Sequence, residues 1–451
     1  MAAQTLAAAV EQLDQEIAED PRMSAELFAR LMEEQRELGL LHGGRPICPF
    51  LRPYLMARSL YEEIARAAES LAGAFERLAA AALADDALLA ELGLTEQETR
   101  MARIEPGYAR LCVTSRLDAF LSADGFKFLE YNAENPAGMI DQMQIERVLF
   151  KLPRVREFLD QNAHWTPRPH ERLLQALLET YREWGGQEER PQIAIVDWEG
   201  VSTATEFYVL KAFFEERGYP ATVADPGELR FNGEHLMAGD FRIDIFYKRV
   251  IIHEFLQRYD ETHPLARAYA AGKVCMVNSF RSKLAHKKAG FAVLSEPRYA
   301  HLFTEEQLAV LRKHVPWTRI VRRGPTLFEG SEEELLDLLE KERERFVLKP
   351  SDDYGGSGVH IGWESSPGEW KAAIAHALSR PYVVQERVPV RKISPPMFVG
   401  SDLVRQQMLV DFDPFLFRNQ VEGGLVRLSA SSLCNVSTGG GETALVIIEG
   451  S

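Results

Sequence analysis

The sequence predicts an α/β fold with α+β elements, in which a helical N-terminal region precedes a β-hairpin and a parallel α/β unit. Three observations support this prediction. Residues 1–105 are rich in Ala, Leu and Glu, with apolar side chains three and four positions apart. Two apolar, strand-like runs follow, joined at a glycine. From residue 166 onward, short apolar runs alternate with helical segments, which is typical of a parallel sheet.

Length and composition limit the classes of function. At 451 residues the chain is too long for one ordinary core, so several packed units are expected. The net charge of −15 argues against a nucleic-acid partner and favours a cationic small molecule. The sequence has neither a run of roughly 18 apolar residues nor a signal-peptide layout. We therefore expect a cytoplasmic protein without a membrane partner, whose four scattered cysteines are reduced.

The most informative stretch is the predicted hairpin in residues 111–132. A three-residue loop, 123–125, is expected to join its strands, because Gly125 can take the left-handed conformation that such a loop requires. This loop pairs Ser122 with Phe126. A two-residue loop at 124–125 would instead shift the register by one and separate the polar side chains between the two faces.

Counting back from that pair brings four polar side chains onto one face of the hairpin. They form two opposed pairs, Asp118 with Glu130 and Arg116 with Asn132. Two carboxylates and an amide oxygen suit Mg²⁺, which completes its shell from water and substrate phosphates. The guanidinium adds an anion-binding group. The alternative is a solvated face with cross-strand charge pairs.

The next segments predict a linker and then the α/β unit. A helical stretch at 141–159 is expected to break at Pro153, and residues 162–169 form a boundary. The unit itself comprises a helix to about residue 184, strands at 192–198, 221–224 and 244–250, and a helix at 203–217. The loop 197–200 follows a strand's carboxyl end, where such sheets bind ligands. It lacks the G-x-G-x-x-G fingerprint, so a dinucleotide is not expected.

The C-terminal region contains a glycine-rich loop between two predicted strands, at 346–349 and 359–363. Lys349 ends the first strand, and the loop 350–358 offers backbone N–H groups that suit a flap over phosphates. It is not the usual Walker sequence, and a structural turn is the alternative. A further strand at 381–388 presents polar groups that could meet an adenine edge; a half-buried strand with a solvated glutamate is its alternative.

Other catalytic patterns are missing from the sequence. Neither G-x-S-x-G nor H-E-x-x-H occurs, and the eleven histidines show no ligand spacing. Serine-hydrolase and zinc-hydrolase functions are therefore disfavoured.

Over about residues 111–449, these motifs resemble the circularly permuted ATP-grasp proteins of the glutathionylspermidine-synthase-like branch, in its synthetase part only. The hairpin is similar to the family's Arg-x-Asp and Glu-x-Asn motifs. The resemblance implies that Arg116 is catalytic and serves the acyl-phosphate centre. It also implies that Asp118, Glu130 and Asn132 bind Mg²⁺.

The same resemblance implies an ATP site. The loop resembles the family's nucleotide lysine and phosphate flap, and the strand at 381–388 resembles its adenine hinge. The segment 277–289 resembles the one that carries the other nucleotide lysine, and two adjacent lysines fit that role. The implied nucleotide-binding residues are Lys287 or Lys288, Lys349, Tyr354, Gly355, Gly356, Ser357, Gly358, Gln385, Glu386 and Val388.

The implied organisation has four parts. They are a helical region (1–105), the metal-binding hairpin with its following helix (106–165), a Rossmann-like unit (166–273) and ATP-binding lobes with the flap (274–451). The implied activity is an ATP- and Mg²⁺-dependent ligase that joins a small carboxylate, peptides included, to an amine, polyamines included. The alternative function is an ATP-binding regulatory or scaffold protein of the same fold without ligase turnover.

Overall fold

The computed structural model describes residues 3–353, 356–432 and 440–450. Helices form most of the N-terminal region, as predicted. Its elements are α1 (Ala3–Glu19), α2 (Ala25–Glu37), β1 (Leu41–His42), β2 (Arg45–Pro46), β3 (Tyr54–Ala57), α3 (Arg58–Ala84), α4 (Asp86–Glu91) and α5 (Glu96–Ala102). Helix α3 buries an apolar stripe, in which Phe75 packs on Tyr131 of the hairpin at a ring-centroid distance of 4.8 Å. This contact fixes the back of the hairpin to the helical region.

The predicted hairpin and the helix break after it are confirmed. The elements here are β4 (Thr114–Ser122), β5 (Gly125–Asn132), α6 (Asp141–Leu149), α7 (Pro153–Gln161) and β6 (His164–Trp165). Pro153 occupies the first turn of α7, where its missing N–H costs no hydrogen bond. The proline therefore starts a new helix rather than kinking one.

The predicted parallel sheet is also confirmed. The elements are α8 (Pro169–Glu183), β7 (Ile193–Val196), α9 (Ala204–Glu216), β8 (Ala221–Ala224), β9 (Leu229–Phe231), β10 (Leu236–Ala238), β11 (Phe241–Ile243), β12 (Ile245–Lys248), α10 (Ile252–Arg258), α11 (Pro264–Ala270) and β13 (Cys275–Val277). The sheet has the order β13-β12-β7-β8, with every pair parallel. The carboxyl ends of its central strands open toward the hairpin, since Asn135 donates a hydrogen bond to the Arg249 carbonyl just after β12.

The rest of the chain forms a small antiparallel sheet and then returns to the hairpin. The elements are α12 (Lys283–His286), α13 (Ala289–Ser295), α14 (Glu305–His314), β14 (Thr318–Ile320), β15 (Pro325–Phe328), β16 (Ser331–Glu334), α15 (Leu335–Lys341), β17 (Phe346–Pro350), β18 (His360–Ile361), α16 (Pro367–Ala377), β19 (Tyr382–Glu386), β20 (Lys392–Ile393), β21 (Pro396–Val399), β22 (Asp402–Arg405), β23 (Met408–Phe417), β24 (Gln420–Ser429), β25 (Gly441–Thr443) and β26 (Leu445–Ile448). The strand predicted at 359–363 is shorter, because β18 ends at Ile361.

Two sheets position the site. One has the order β14-β19-β17-β18, and the other the order β25-β24-β23-β4-β5, so the hairpin lies beside strands from the C-terminal end. The apolar face of the second sheet and α3 share one buried core. In the described residues, no helix is both long and apolar enough to span a bilayer. The circular permutation and the domain boundaries stay predictions.

Candidate active site

The hairpin turns through two residues, Ala123 and Asp124, so the predicted three-residue loop is wrong. Ser122 pairs with Gly125, which shifts the outer half of the ladder by one position. A β-bulge then inserts Leu129 as an extra residue in β5 and restores the predicted register in the inner half. The sequence conceals this bulge because an apolar residue beside a polar one gives no sign of an extra ladder position.

The inner half of the hairpin consequently presents the four predicted polar side chains together. Asp118 lies opposite Glu130, and Arg116 lies opposite Asn132. The other face of both strands is buried against the core. The arrangement thus forms a polar wall on an otherwise apolar hairpin.

Asp118 is the most heavily bonded member of this wall. Its carboxylate accepts hydrogen bonds from Arg116 Nε (3.0 Å), Asn132 Nδ2 (2.7 Å) and Arg427 Nη2 (2.8 Å). Burial opposes its ionisation, but the two guanidiniums outweigh burial and lower the pKa of Asp118 to about 2. Asp118 is therefore an anion at neutral pH. Arg116 also donates from Nη1 to the Ala137 carbonyl, at 3.1 Å.

Three further charged residues surround this centre and were missed from the sequence. Arg427 on β24 contacts Asp411 and lies 2.8 Å from Asp413, both on β23. Burial raises the pKa of both aspartates, most strongly that of Asp413. The sequence signal that could have identified them is the Asp-x-Asp pair within an apolar strand. Two buried carboxylates require a cationic partner, which must come from elsewhere in the chain.

The structure separates the two adjacent lysines that the sequence left as alternatives. Lys288 lines the cavity, with its Nζ 3.0 Å from Glu130 Oε1 and donating to the Asp353 carbonyl at 2.7 Å. Lys287 points away and pairs with Glu98 and Asp352. Only Lys288 of the two is directed at the polar wall.

Lys349 stands at the end of β17 and faces the same wall. Its Nζ donates to Gln385 Oε1 at 2.7 Å, and Gln385 donates in turn to Thr318 Oγ1 at 3.1 Å. Burial lowers the pKa of Lys349 to about 8, although nearby Glu130 opposes that shift. Glu386, the next predicted residue, pairs with Arg345 at 2.7 Å.

The described part of the glycine loop has left-handed backbone conformations, with φ of +79° at Gly356 and +68° at Gly358. A Cβ on Gly358 would lie only 2.8 Å from Pro350, so glycine is required there. Gly356 and Ser357 line the cavity. Tyr354 and Gly355, which were also predicted to bind nucleotide, lie outside the described residues.

One cavity of about 820 Å³ connects these groups. This volume suits a ligand of nucleotide size together with a second small molecule. The predicted residues that line it are Arg116, Asp118, Glu130, Asn132, Lys288, Lys349, Gly356, Ser357, Gln385, Glu386 and Val388. The predicted loop at 197–200 contributes Asp197 and Trp198 to the lining as well.

A second carboxylate group lines the cavity near the arginines. It comprises Asp141, Glu206 and Glu442, and Arg249 lies 3.4 Å from Glu206. Burial, reinforced by the adjacent Glu442, raises the pKa of Asp141 well above its usual range. Among the described residues, Glu442 Oε2 is buried without a hydrogen-bond partner. This end of the cavity therefore suits a cationic group.

The polar wall offers the ligand types that Mg²⁺ prefers. Two carboxylates and one amide, from Asp118, Glu130 and Asn132, lie on neighbouring positions of one sheet face. Each carboxylate is paired with a cation in this structure, Glu130 with Lys288 and Asp118 with two guanidiniums. The donor set fits Mg²⁺, provided that those ion pairs rearrange when it binds.

The glycine loop and Lys349 are expected to respond differently to substitution. If the site binds Mg-ATP as predicted, Lys349→Ala should weaken that binding about tenfold or more, because it would remove the predicted charge-assisted contact to phosphate. Gly356→Val should impair turnover more than binding, because valine strains the left-handed backbone at φ +79° and would hinder the predicted fit of the loop over phosphates. Calorimetry and ADP-release rates measure the two effects. Equal loss of binding in both variants would identify the loop as a structural turn.

The pKa of Lys349 adds a pH test to that comparison. Since its pKa is lowered to about 8, the ammonium is lost as the pH rises through that value. Mg-ATP affinity of the unmodified chain should therefore fall between about pH 7 and about pH 9. Lys349→Ala should lack this fall.

Comparison with known proteins identifies the fold. The chain is similar to the apo form of GSS30, a glutathione synthetase-like effector from Globodera pallida, with a TM-score of 0.61 and 12% sequence identity. The match covers 96% of this chain and 99% of that one. No family model and no curated protein sequence matches the chain. The protein therefore has a mixed α/β fold like that of this glutathione synthetase-like effector, which confirms the predicted fold class.

Proposed function

We propose that the protein is an ATP- and Mg²⁺-dependent ligase that joins a carboxylate to an amine through an acyl phosphate, releasing ADP and phosphate. One observation carries the proposal: the polar wall of the hairpin shares a cavity with Lys288, Lys349 and the glycine loop. Carboxylates for a metal ion, ammonium groups for phosphates and a closing loop are the parts that phosphoryl transfer needs.

In the proposed reaction, each set of side chains has a separate task. Asp118, Glu130 and Asn132 would hold Mg²⁺, which neutralises phosphate oxygens. Lys288 and Lys349 would bind the phosphates directly. The adenine would lie along the end of β19 and the segment after it, where Gln385 and Val388, respectively, line the cavity.

The arginines are suited to the acid and to the charge that develops during transfer. Arg116 and Arg427 converge on Asp118 from two strands, with side chains only 11% and 12% exposed. Their guanidiniums are little exposed and are held in position by ion pairs, so little reorganisation would be needed as charge moves. No nucleophile from the protein is required, because the substrate carboxylate attacks the phosphate.

The carboxylates at the other end supply a reason for an amine substrate. Asp141 and Glu442 adjoin, and burial raises the pKa of each. The negative charges of the two carboxylates repel each other, and a substrate ammonium would relieve that repulsion on binding. Once bound, it could pass a proton to one of the carboxylates and so become a nucleophile. The net charge of −15 acts in the same direction by attracting cations.

Mg-ATP is expected to stabilise the fold against heat. A ligand that binds only the native state adds RT ln(1 + [L]/Kd), about 2.7 kcal/mol at a hundredfold excess over Kd. Scanning fluorimetry with and without millimolar Mg-ATP measures the effect. An unchanged Tm would contradict both the ligase and the ATP-binding alternative.

The decisive experiment is ADP release with Mg-ATP across a matrix of small acids, γ-glutamyl peptides and polyamines. The ligase is supported if release needs one acid and one amine together and an amide product accumulates. Mg-ATP binding without release in any combination would favour the regulatory or scaffold alternative.

A further inference from the structure

A cluster of buried charges lies beside the cavity and takes no part in the proposed reaction; of its residues, His286 also lines the cavity. Its members come from five separated segments: Glu98, Glu134, Lys248, Lys283, Lys287 and Asp352, with His286 beside them. Most of these side chains are no more than 6% exposed, whereas Asp352 is 24% exposed. Burying so many charges is costly unless they are paired with good geometry.

Lys283 is the centre of this cluster. Its Nζ lies 2.8 Å from Glu134 Oε1 and also donates to Asp352. Glu134 follows Asn132 of the polar wall by two positions, and Asp352 follows Lys349 by three. One fully buried ammonium thus joins the end of the polar wall to the start of the glycine loop.

The cluster is an ion-pair network rather than a metal site. Glu134, His286 and Asp352 could offer ligand atoms within 4.8 Å of one another. The Lys283 ammonium, however, already bonds to both carboxylates of that group. A cation therefore already neutralises this position.

Asp352 receives a second ammonium, and its neighbours are held as well. Lys287 Nζ donates to Asp352 at 2.6 Å. Lys288 binds the residues on either side, donating from its backbone N–H to the Ser351 carbonyl (2.9 Å) and from Nζ to the Asp353 carbonyl (2.7 Å). Three consecutive residues at the start of the loop are therefore bound to residues 283–288.

The other end of the glycine loop is also fixed. Tyr382 donates its hydroxyl to the Gly358 carbonyl at 3.1 Å, and Gly358 packs against Pro350. The span between Asp353 and Gly358 has no comparable anchor among its described residues. The described anchors of the loop therefore lie at its two ends, and the stronger set is the one around Asp352.

We infer that Asp352 is a positioning residue, which Lys283 and Lys287 hold so that the glycine loop keeps its place relative to the polar wall. The inference rests on the proposed ATP site but goes beyond it, because Asp352 itself need not touch the nucleotide. The hydrogen bonds from both ammonium groups to the Asp352 carboxylate are charge-assisted, which makes them strong enough to hold Asp352 in one position.

The test compares Asp352→Asn with the unmodified chain, using Mg-ATP and AMP as separate probes. AMP carries the adenine but lacks the phosphates that the loop would cover. Asp352→Asn should weaken Mg-ATP binding about tenfold while changing AMP binding less than twofold. Asp352→Glu, which keeps the charge, should recover most of the loss. Asp337→Asn, an exposed charge on α15 of the same lobe, is the control.

The outcomes separate the inference from the proposed function. Unchanged Mg-ATP binding in Asp352→Asn, beside clear binding by the unmodified chain, would overturn the inference alone. Equal loss for Mg-ATP and AMP would also overturn it, since that pattern indicates general damage to the lobe. Absence of Mg-ATP binding by the unmodified chain would overturn the proposed function as well.

Discussion

Replacing Arg116 by alanine is expected to lower acid-dependent ADP release by about 10²–10³ while Mg-ATP binding stays nearly unchanged. The Arg116 guanidinium contacts Asp118, Asp413 and the Ala137 carbonyl. The proposed phosphate-binding residues Lys288 and Lys349 instead contact Glu130 and Gln385, respectively. It should therefore bind charge that develops during transfer more strongly than it binds ATP itself. Single-turnover rates and calorimetry with Mg-ATP measure the two effects.

The structure also supplies controls for this substitution. Asp118 keeps Asn132 and Arg427 as partners when Arg116 is removed, so the hairpin should still fold. Arg116→Lys should recover little activity, because an ammonium cannot reproduce the spread of guanidinium contacts. Arg110→Ala removes an arginine that is 41% exposed, just before the same strand, and should leave the rate unchanged. An unaltered kcat in Arg116→Ala would contradict the proposed catalytic centre.

The largest effect on stability is expected at Arg427. Arg427→Met should lower the free energy of unfolding by about 3–5 kcal/mol, because it removes the cation that contacts all three buried carboxylates, and Arg116 reaches only Asp118 and Asp413. Arg427 contacts Asp118, Asp411 and Asp413 at once. Urea denaturation measures the change. Arg322→Met is the matched control, since its pair with Glu91 is at the surface and should contribute less than about 1 kcal/mol.

The loss in free energy of unfolding caused by Arg427→Met should also depend on pH, and the direction of that dependence can be predicted. Burial already raises the pKa of Asp411 and Asp413, and losing the guanidinium raises both further. A carboxyl whose pKa is higher in the folded state favours folding at low pH and loses that effect as the pH rises through the folded pKa. The destabilisation should therefore shrink from about pH 8 to about pH 5. An equal loss at both pH values would contradict this account.

Local sequence patterns predict the elements whose structure is determined locally. Helical periodicity, the alternation of strands with helices and Pro153 each led to elements that the structure contains. The same patterns also place Asp118 opposite Glu130, although through the wrong loop. Two differences, a shorter turn and an added bulge, compensate one another. Neither leaves a signature in a hydrophobic pattern, because pleating alone does not reveal an extra residue.

Long-range pairing was the part that could not be predicted. Arg427 meets Asp118 across 309 positions of sequence, so no local spacing joins them. Which of Lys287 and Lys288 faces the polar wall depends on the residue at which α12 ends. A shift of that helix end by one residue is too small to predict from sequence. The carboxylates Asp141 and Glu442 likewise meet only after the chain has folded. Such contacts depend on tertiary packing rather than on propensity.

The ion pairs that already fill the polar wall have a thermodynamic consequence. Lys288 is bound to Glu130, and Asp118 to two guanidiniums. ATP alone would bring its phosphates against these carboxylates, and Mg²⁺ alone would meet the same ammonium and guanidiniums. If both bound together as proposed, each of these protein charges would exchange one partner for another of the same sign. Metal and nucleotide would therefore be reciprocal ligands, each raising the affinity of the other by the same factor.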